Sequence, residues 1–194
     1  MADLNKLIGE IRACKLCADD MDRPPNPIFQ VSETARILIA GQAPGNLADK
    51  SGKPFTDPSG DRLRQWLDVS DEEFYDTSRI ALLPMGFCFP GYDAKGGDLP
   101  PLKRCALTWR DQLMQSLSQI ELTVLIGGYA QAWHLGARTE KSLTATVARW
   151  TDYLADGIFV TPHPSWRNNG WLKRNPWFET DVLPALQKRV RSLL

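Results

Sequence analysis

Four cysteines, a proline-flanked histidine and several glycine-bounded turns are the residues of this sequence best equipped for chemistry. Cys14-Lys15-Leu16-Cys17 puts two thiols on one turn, where both sulfurs reach a single metal or one corner of a cluster without backbone strain. Cys88 and Cys105 complete the four ligands that either tetrahedral zinc or a cubane cluster requires, and spacing does not separate the two. Disulfides fit a reducing cytosol poorly, and unligated thiols packed as small apolar side chains are the bland alternative. His163, one of two histidines, lies between Pro162 and Pro164 at the end of an apolar run. That is a rigid mount for a hydrogen-bond donor, whereas His134, inside a helical Trp-His-Leu segment, reads as structural.

Three further features could hold a ligand. Gly41-Gln42-Ala43-Pro44-Gly45 is a turn in which backbone N–H groups can approach a bound molecule closely. Phe55 offers a flat face for stacking, or else ordinary core packing. The segment 165–175 mixes cations and amides (Ser165, Arg167, Asn168, Lys173, Arg174) with the large apolar Trp166 and Trp171. This suits phosphate contacts plus a wedge in a nucleic acid, with a solvated loop whose tryptophans tuck against the body as the alternative.

The elements that must position these residues follow from apolar spacing. Leu4, Leu7, Ile8 and Ile11 predict a helix over 3–12 that runs into Cys14. Short apolar runs at 35–40, 80–85, 122–126 and 157–161 read as buried strands, and 59–67, 103–117 and 129–135 as helices. The alternation predicts a three-layer α/β/α sandwich with a central, mostly parallel four-stranded sheet. Ligands then bind at the carboxyl ends of the strands, where three loops emerge: 41–58, 86–101 and 162–176.

With 194 residues, 43% of them hydrophobic, the chain is expected to form one domain over 1–194. Lys plus Arg and Asp plus Glu number 23 each, so any nucleic-acid surface must be a local patch. The N-terminus carries charges where a signal peptide needs apolar residues, and no window approaches the length of a membrane span. We expect a cytoplasmic protein, monomeric, with no obligatory protein partner.

The motifs Cys14-Lys15-Leu16-Cys17, Gly41-Gln42-Ala43-Pro44-Gly45, Gly52-Lys53-Pro54-Phe55, Cys88, Leu99-Pro100-Pro101-Leu102-Lys103-Arg104-Cys105 and His163-Pro164-Ser165, in this order, resemble the iron-sulfur (family 4) uracil-DNA glycosylases and their relatives. The resemblance spans nearly the whole chain. It implies that the four cysteines hold a 4Fe-4S cluster, that the turn at Gly41, Gln42 and Ala43 contacts the base, that Phe55 stacks on it, and that His163 faces O2 of the leaving pyrimidine.

Two positions depart from the family pattern. Many relatives carry a carboxylate where this chain has Gln42 and Ala43; of the nearby acids, Asp57, two residues after Phe55, is the candidate to position water. The family's base-reading Asn falls at Pro84, which has neither an amide side chain nor an N–H to distinguish uracil from cytosine. The resulting expectation is a monofunctional DNA glycosylase that excises uracil or another deaminated base. The alternatives are a module of the same fold that binds damaged or single-stranded DNA without cutting it, and an unrelated four-cysteine zinc protein.

Overall fold

The computed structural model describes residues 3–194. Asp3 caps the first helix, α1 (Leu4–Arg12), by accepting from the Asn5 N–H at 2.9 Å, and the buried Leu4, Leu7 and Ile11 form its inner stripe. Strand β1 (Ile37–Ala40) is followed by α2 (Asn46–Ser51), α3 (Pro58–Leu67) and α4 (Asp71–Tyr75). Helix α3 starts on an Asp57 cap with Pro58 at its first position, and α4 on a capping box between Ser70 and Glu73. Then come β2 (Ile80–Leu82), α5 (Lys103–Ser116), β3 (Leu122–Ile126), α6 (Gly127–Leu135), α7 (Leu143–Ala148), α8 (Trp150–Leu154), β4 (Ile158–Thr161), α9 (Asn169–Arg174) and α10 (Leu183–Arg191).

All four strands run parallel in the order β2-β1-β3-β4, with Ile37 beside both Ile80 and Leu122, and Ile126 beside Thr161. Successive side chains point to opposite faces. Ile37, Ile39, Val124, Ile126 and Phe159 pack with α3, α4, α7 and α10 on one side. Leu38 packs with α1 and α5 on the other, and Ala40, Leu125 and Val160 with α5, α6 and α8. The α/β/α sandwich predicted from the alternation of elements is thus present. The free edge of β2 is covered by Gln30, whose backbone exchanges hydrogen bonds of 2.9 and 2.7 Å with Leu82. No described helix is long and apolar enough to cross a membrane.

Three readings of the chain need correction. The segment 41–58 carries the short helix α2, and 165–175, read as a loop, is a 3-10 turn at Trp166–Asn168 continued by α9. Lys173 and Arg174 therefore project from the end of a helix. The C-terminal helix α10, with Leu186 and Val190 buried, was not foreseen. Its apolar positions are few and widely spaced among basic residues, and their burial is a tertiary fact.

Candidate active site

The carboxyl ends of the strands open into a cleft of about 610 Å³. Its walls come from all three expected loops: Gln42 to Leu47 after β1, Asp57 to Arg62 at the start of α3, Pro90, Tyr92 and Asp98 after β2, and His163 to Asn168 after β4. A second, more apolar hollow of about 400 Å³ lies across Gln42, His163 and Asn168, against Gly127, Gly128 and Tyr129.

His163 is held on two sides. The Ser165 N–H donates to its Nδ1 at 3.2 Å, and Asn168 Nδ2 donates to its carbonyl at 2.7 Å. An Nδ1 that accepts a hydrogen bond leaves the proton of a neutral imidazole on Nε2, so the free nitrogen is a donor. Burial pulls the His163 pKa below its ordinary value, and the negative charge of Asp57 opposes this only in part. The ring is therefore neutral at pH 7 with a fixed tautomer.

The turn after β1 is laced to the exit of β2: Met85 N–H donates to the Gly41 carbonyl and Gly86 N–H to that of Gln42, both at 2.9 Å. The N–H groups of Gln42 and Ala43 donate to no other described residue, so they remain available where the sequence places a ligand-contacting turn. Gln42 also sends its side chain across the cleft, where Nε2 donates to the Leu99 carbonyl at 3.1 Å and leaves the amide oxygen free to accept.

Asp57 lies in the cleft with His163, but its oxygens are occupied. Ser59 Oγ lies 2.9 and 2.7 Å from them and Gly60 N–H donates to Oδ1 at 3.2 Å, which is the capping of α3. Phe55 does not line the cleft surface. Its ring packs edge-on against Phe74 at 5.9 Å between centroids, and a Cβ on Gly41 would meet it at 3.4 Å. His163 in turn lies 3.7 Å from where a Cβ on Gly127 would be. Gly41 and Gly127 follow the paired strands β1 and β3, so the ring and the imidazole each lie against the turn that leaves one of two neighbouring strands.

Pro84 is buried behind this wall, and its carbonyl accepts from Arg110 Nη1 at 3.0 Å. Arg110, 0% exposed, also donates to the Leu83 carbonyl at 3.1 Å and reaches His134 Nε2 at 2.8 Å. His134 is accordingly structural, its pKa pushed down to about 3 by burial and by this guanidinium.

The sequence reading missed several residues of the rim. Leu47 and Tyr92, each 48% exposed, stand at the cleft mouth beside the foreseen Trp166, which is 73% exposed. Arg62 reaches from α3 to the Ser165 carbonyl at 3.2 Å and Asn169 Oδ1 at 2.9 Å. Arg62, Arg167, Lys173 and Arg174 form no ion pair with a carboxylate among the described residues, whereas many other arginines do. The paired glycines before Asp98 and the loop's place after β2 were the available signals for that wall.

None of the four cysteines lines the cleft; Cys14 and Cys17 follow α1, Cys88 follows β2, Cys105 lies in the first turn of α5, and none is in a disulfide. Burial raises the thiol pKa of Cys88 to about 12 and of Cys105 to about 11, and each also feels the charges of Cys14 and Cys17. The Phe87 N–H points at Cys105 Sγ at 3.4 Å. Among the described residues no three His, Cys, Asp or Glu side chains stand where they could hold one metal ion. Four sulfurs around a single zinc would have to lie about 3.8 Å apart.

A family model described as the uracil DNA glycosylase superfamily matches residues 28–187. The match takes in every cleft residue named above, and Cys88 and Cys105, but not Cys14 or Cys17.

Proposed function

Because the chain belongs to the uracil-DNA glycosylase superfamily, we propose that it excises uracil or a related deaminated base from DNA by hydrolysing the N-glycosidic bond, as a monofunctional enzyme. The carrying observation is the neutral His163 fixed by Ser165 with Nε2–H as its free donor. As the bond breaks, its electron pair moves onto the base, and a donor already aimed at the base oxygen binds this charge more strongly than the ground state. The free N–H groups of Gln42 and Ala43 add donors on the same side, and the Gln42 amide oxygen offers an acceptor for a base N–H.

Reaching the base requires turning it out of the stack. Phe55, beneath the Gly41 turn rather than on the cleft surface, supports the turn that would contact the base. Trp166, with most of its surface bare, is suited to fill the gap that an extruded nucleotide leaves. Arg62, Arg167, Lys173 and Arg174, with Ser165 and Asn168, would meet phosphates around it.

What supports a 4Fe-4S cluster is the number of cysteines, the charge each of Cys88 and Cys105 feels from Cys14 and Cys17, and the Phe87 N–H aimed at Cys105. Cys14, Cys17, Cys88 and Cys105 would hold it; when bound it supplies a rigid joint between the N-terminal segment, the β2 exit and α5. Purified protein should then be brown, with the charge-transfer absorption of iron-sulfur proteins, and Cys17→Ala should lose it; colourless protein with stoichiometric zinc would overturn the assignment.

The function is tested on single-stranded, paired and mismatched oligonucleotides carrying uracil, hypoxanthine or xanthine, with abasic sites revealed by alkali. Excision from one class, reduced in His163→Ala, supports the reading. Binding with no cleavage of any would leave the fold as a recognition module, the reading favoured by Pro84, which has no side-chain amide for the base edge.

A further inference from the structure

Asp98, an exposed residue on the turn between β2 and α5, lines the same cleft as Gln42 and His163. The turn holds it by backbone and side-chain bonds of its neighbours: Asp93 N–H to the Gly97 carbonyl at 2.7 Å, Gly97 N–H to Asp93 Oδ1 at 2.8 Å, and Leu99 N–H to the Gly91 carbonyl at 2.9 Å. The Asp98 carboxylate points toward the first turn of the loop after β1, where a Cβ on Gly45 would lie 3.9 Å from Oδ2. It has no hydrogen-bond donor among the described residues.

Asp57, the acid singled out from the sequence, is differently placed. Ser59 Oγ and Gly60 N–H already donate to its oxygens in capping α3, a structural task that Asp98 does not have. Although Asp98 is exposed, partial desolvation within the cleft and the charges of Asp57 and Asp93 raise its pKa, while Arg167 opposes the rise and favours the ionised form. A general base works best when its affinity for a proton is raised yet it is still ionised at the working pH.

We infer that Asp98 is the catalytic carboxylate that activates water for the glycosylase reaction, in place of the acid this chain lacks at Gln42. The inference rests on the proposed function. In the step, the water oxygen forms a bond to the sugar C1′ and its proton passes to Asp98. The C1′–N bond breaks with its electron pair leaving on the base, whose charge meets the His163 Nε2–H. Asp98 then returns the proton to solvent. The charged groups whose fields reach Asp98 are Arg167, Asp57 and Asp93, and His163 is the other titratable group of the cleft.

The test uses single-turnover excision from single-stranded oligonucleotides bearing one uracil, xanthine or hypoxanthine, with wild type, Asp98→Asn, Asp98→Glu and Asp57→Asn. Asp98→Asn should slow excision about a hundredfold or more while DNA affinity is kept or increased, because a negative charge leaves the cleft, and Asp98→Glu should recover part of the rate. The wild-type rate should fall on the acid side with an apparent pKa above the ordinary carboxylate range, and this limb should vanish in Asp98→Asn. Asp57→Asn should instead lower thermal stability, with any loss of rate following it. An Asp98→Asn rate within twofold of wild type, while wild type cuts, overturns the inference and leaves the function standing. Wild type that cuts none of the three bases overturns both.

Discussion

Gly60 lies against the carbonyl of Phe55 so closely that a Cβ built on it would overlap the oxygen and sit 2.6 Å from the carbon. That oxygen also accepts from Tyr75 Oη and Arg64 Nη1, both at 3.2 Å. Phe55 itself is left-handed, at φ 55°, a conformation that costs a non-glycine residue about 1–2 kcal/mol. The aromatic ring under the Gly41 turn is thus aimed by a strained backbone that its neighbours hold in place.

Gly60→Ala should therefore destabilise the protein by about 1–3 kcal/mol, an overpacking cost with backbone rather than a pliant side chain on the other side. At about 2–4 °C per kcal/mol for a chain of this size, Tm should fall by several degrees in a thermal melt. Tyr75→Phe, which removes one donor to the same carbonyl, should cost only about 1 kcal/mol. Equal effects of the two would mean that the segment relaxes freely and does not aim Phe55.

His163→Ala should cut the excision rate about a hundredfold to a thousandfold, the usual loss when one donor to a developing anion is removed. The geometry also has a readout independent of activity: nitrogen NMR at pH 7 should find a neutral His163 with its proton on Nε2. Since burial lowers its pKa, the ring should stay neutral as pH falls through the ordinary histidine value near 6.5. A charged imidazole at pH 7 would contradict the site described here.

Arg110 carries a buried charge with no carboxylate bonded to it, and its pKa is lowered to about 10 by burial. Its donors satisfy the Leu83 and Pro84 carbonyls and His134 at once. Arg110→Ala strands three buried acceptors, and urea unfolding should reveal a loss of about 3–5 kcal/mol. Arg110→Lys should fall in between, because an ammonium cannot span the three acceptors with a planar fork. A loss under 1 kcal/mol in the alanine variant would mean that water replaces the guanidinium.

Much of this was legible in the sequence because strands buried on both faces, such as Ile37-Leu38-Ile39-Ala40, write themselves as continuous apolar runs closed by glycine. His163 was legible because two prolines frame it at a strand end. The roles of Asp57 and Asp98 were not. Asp57 looked available because a cap is visible only once Ser59 and Gly60 fold back on it, and Asp98 was not singled out because nothing local to Gly96-Gly97-Asp98 says that its turn comes near the β1 loop. Arg110 was invisible for a similar reason: on α5 it reads as a surface cation, and its burial arises from packing against β2 and α6.

Stability should decline as pH falls from about 6.5, and His134 should be one cause. Its folded pKa of about 3 lies below the unfolded value, so in that window the unfolded chain binds a proton that the native protein refuses. Above 6.5 both states are neutral and the penalty is absent. Between pH 6.5 and 5, where carboxylates hardly titrate, the loss from this residue should be about 2 kcal/mol. His134→Gln should reduce the slope of unfolding free energy against pH there, leaving the part due to His163. An unchanged slope would show that His134 protonates freely in the folded protein.

Binding to DNA should weaken with salt, but through few charges. The chain is neutral overall, and the cleft's acids, Asp57, Asp93 and Asp98, offset Arg62 and Arg167. Arg167 already leans on this acidic turn, its Nη2 at 3.4 Å from the Gly96 carbonyl, whereas Lys173 and Arg174 stand exposed at the end of α9. Each phosphate neutralised on a single strand contributes about −0.7 to the slope of log K against log salt. Lys173→Ala with Arg174→Ala should therefore flatten the slope by about 1.4 when binding to a single-stranded oligonucleotide is titrated. Arg167→Ala should flatten it by less than about 0.7, because this cation already spends part of its charge on the acidic turn. A slope indifferent to all three would place the phosphate track on another face and leave Trp166 without a strand to enter.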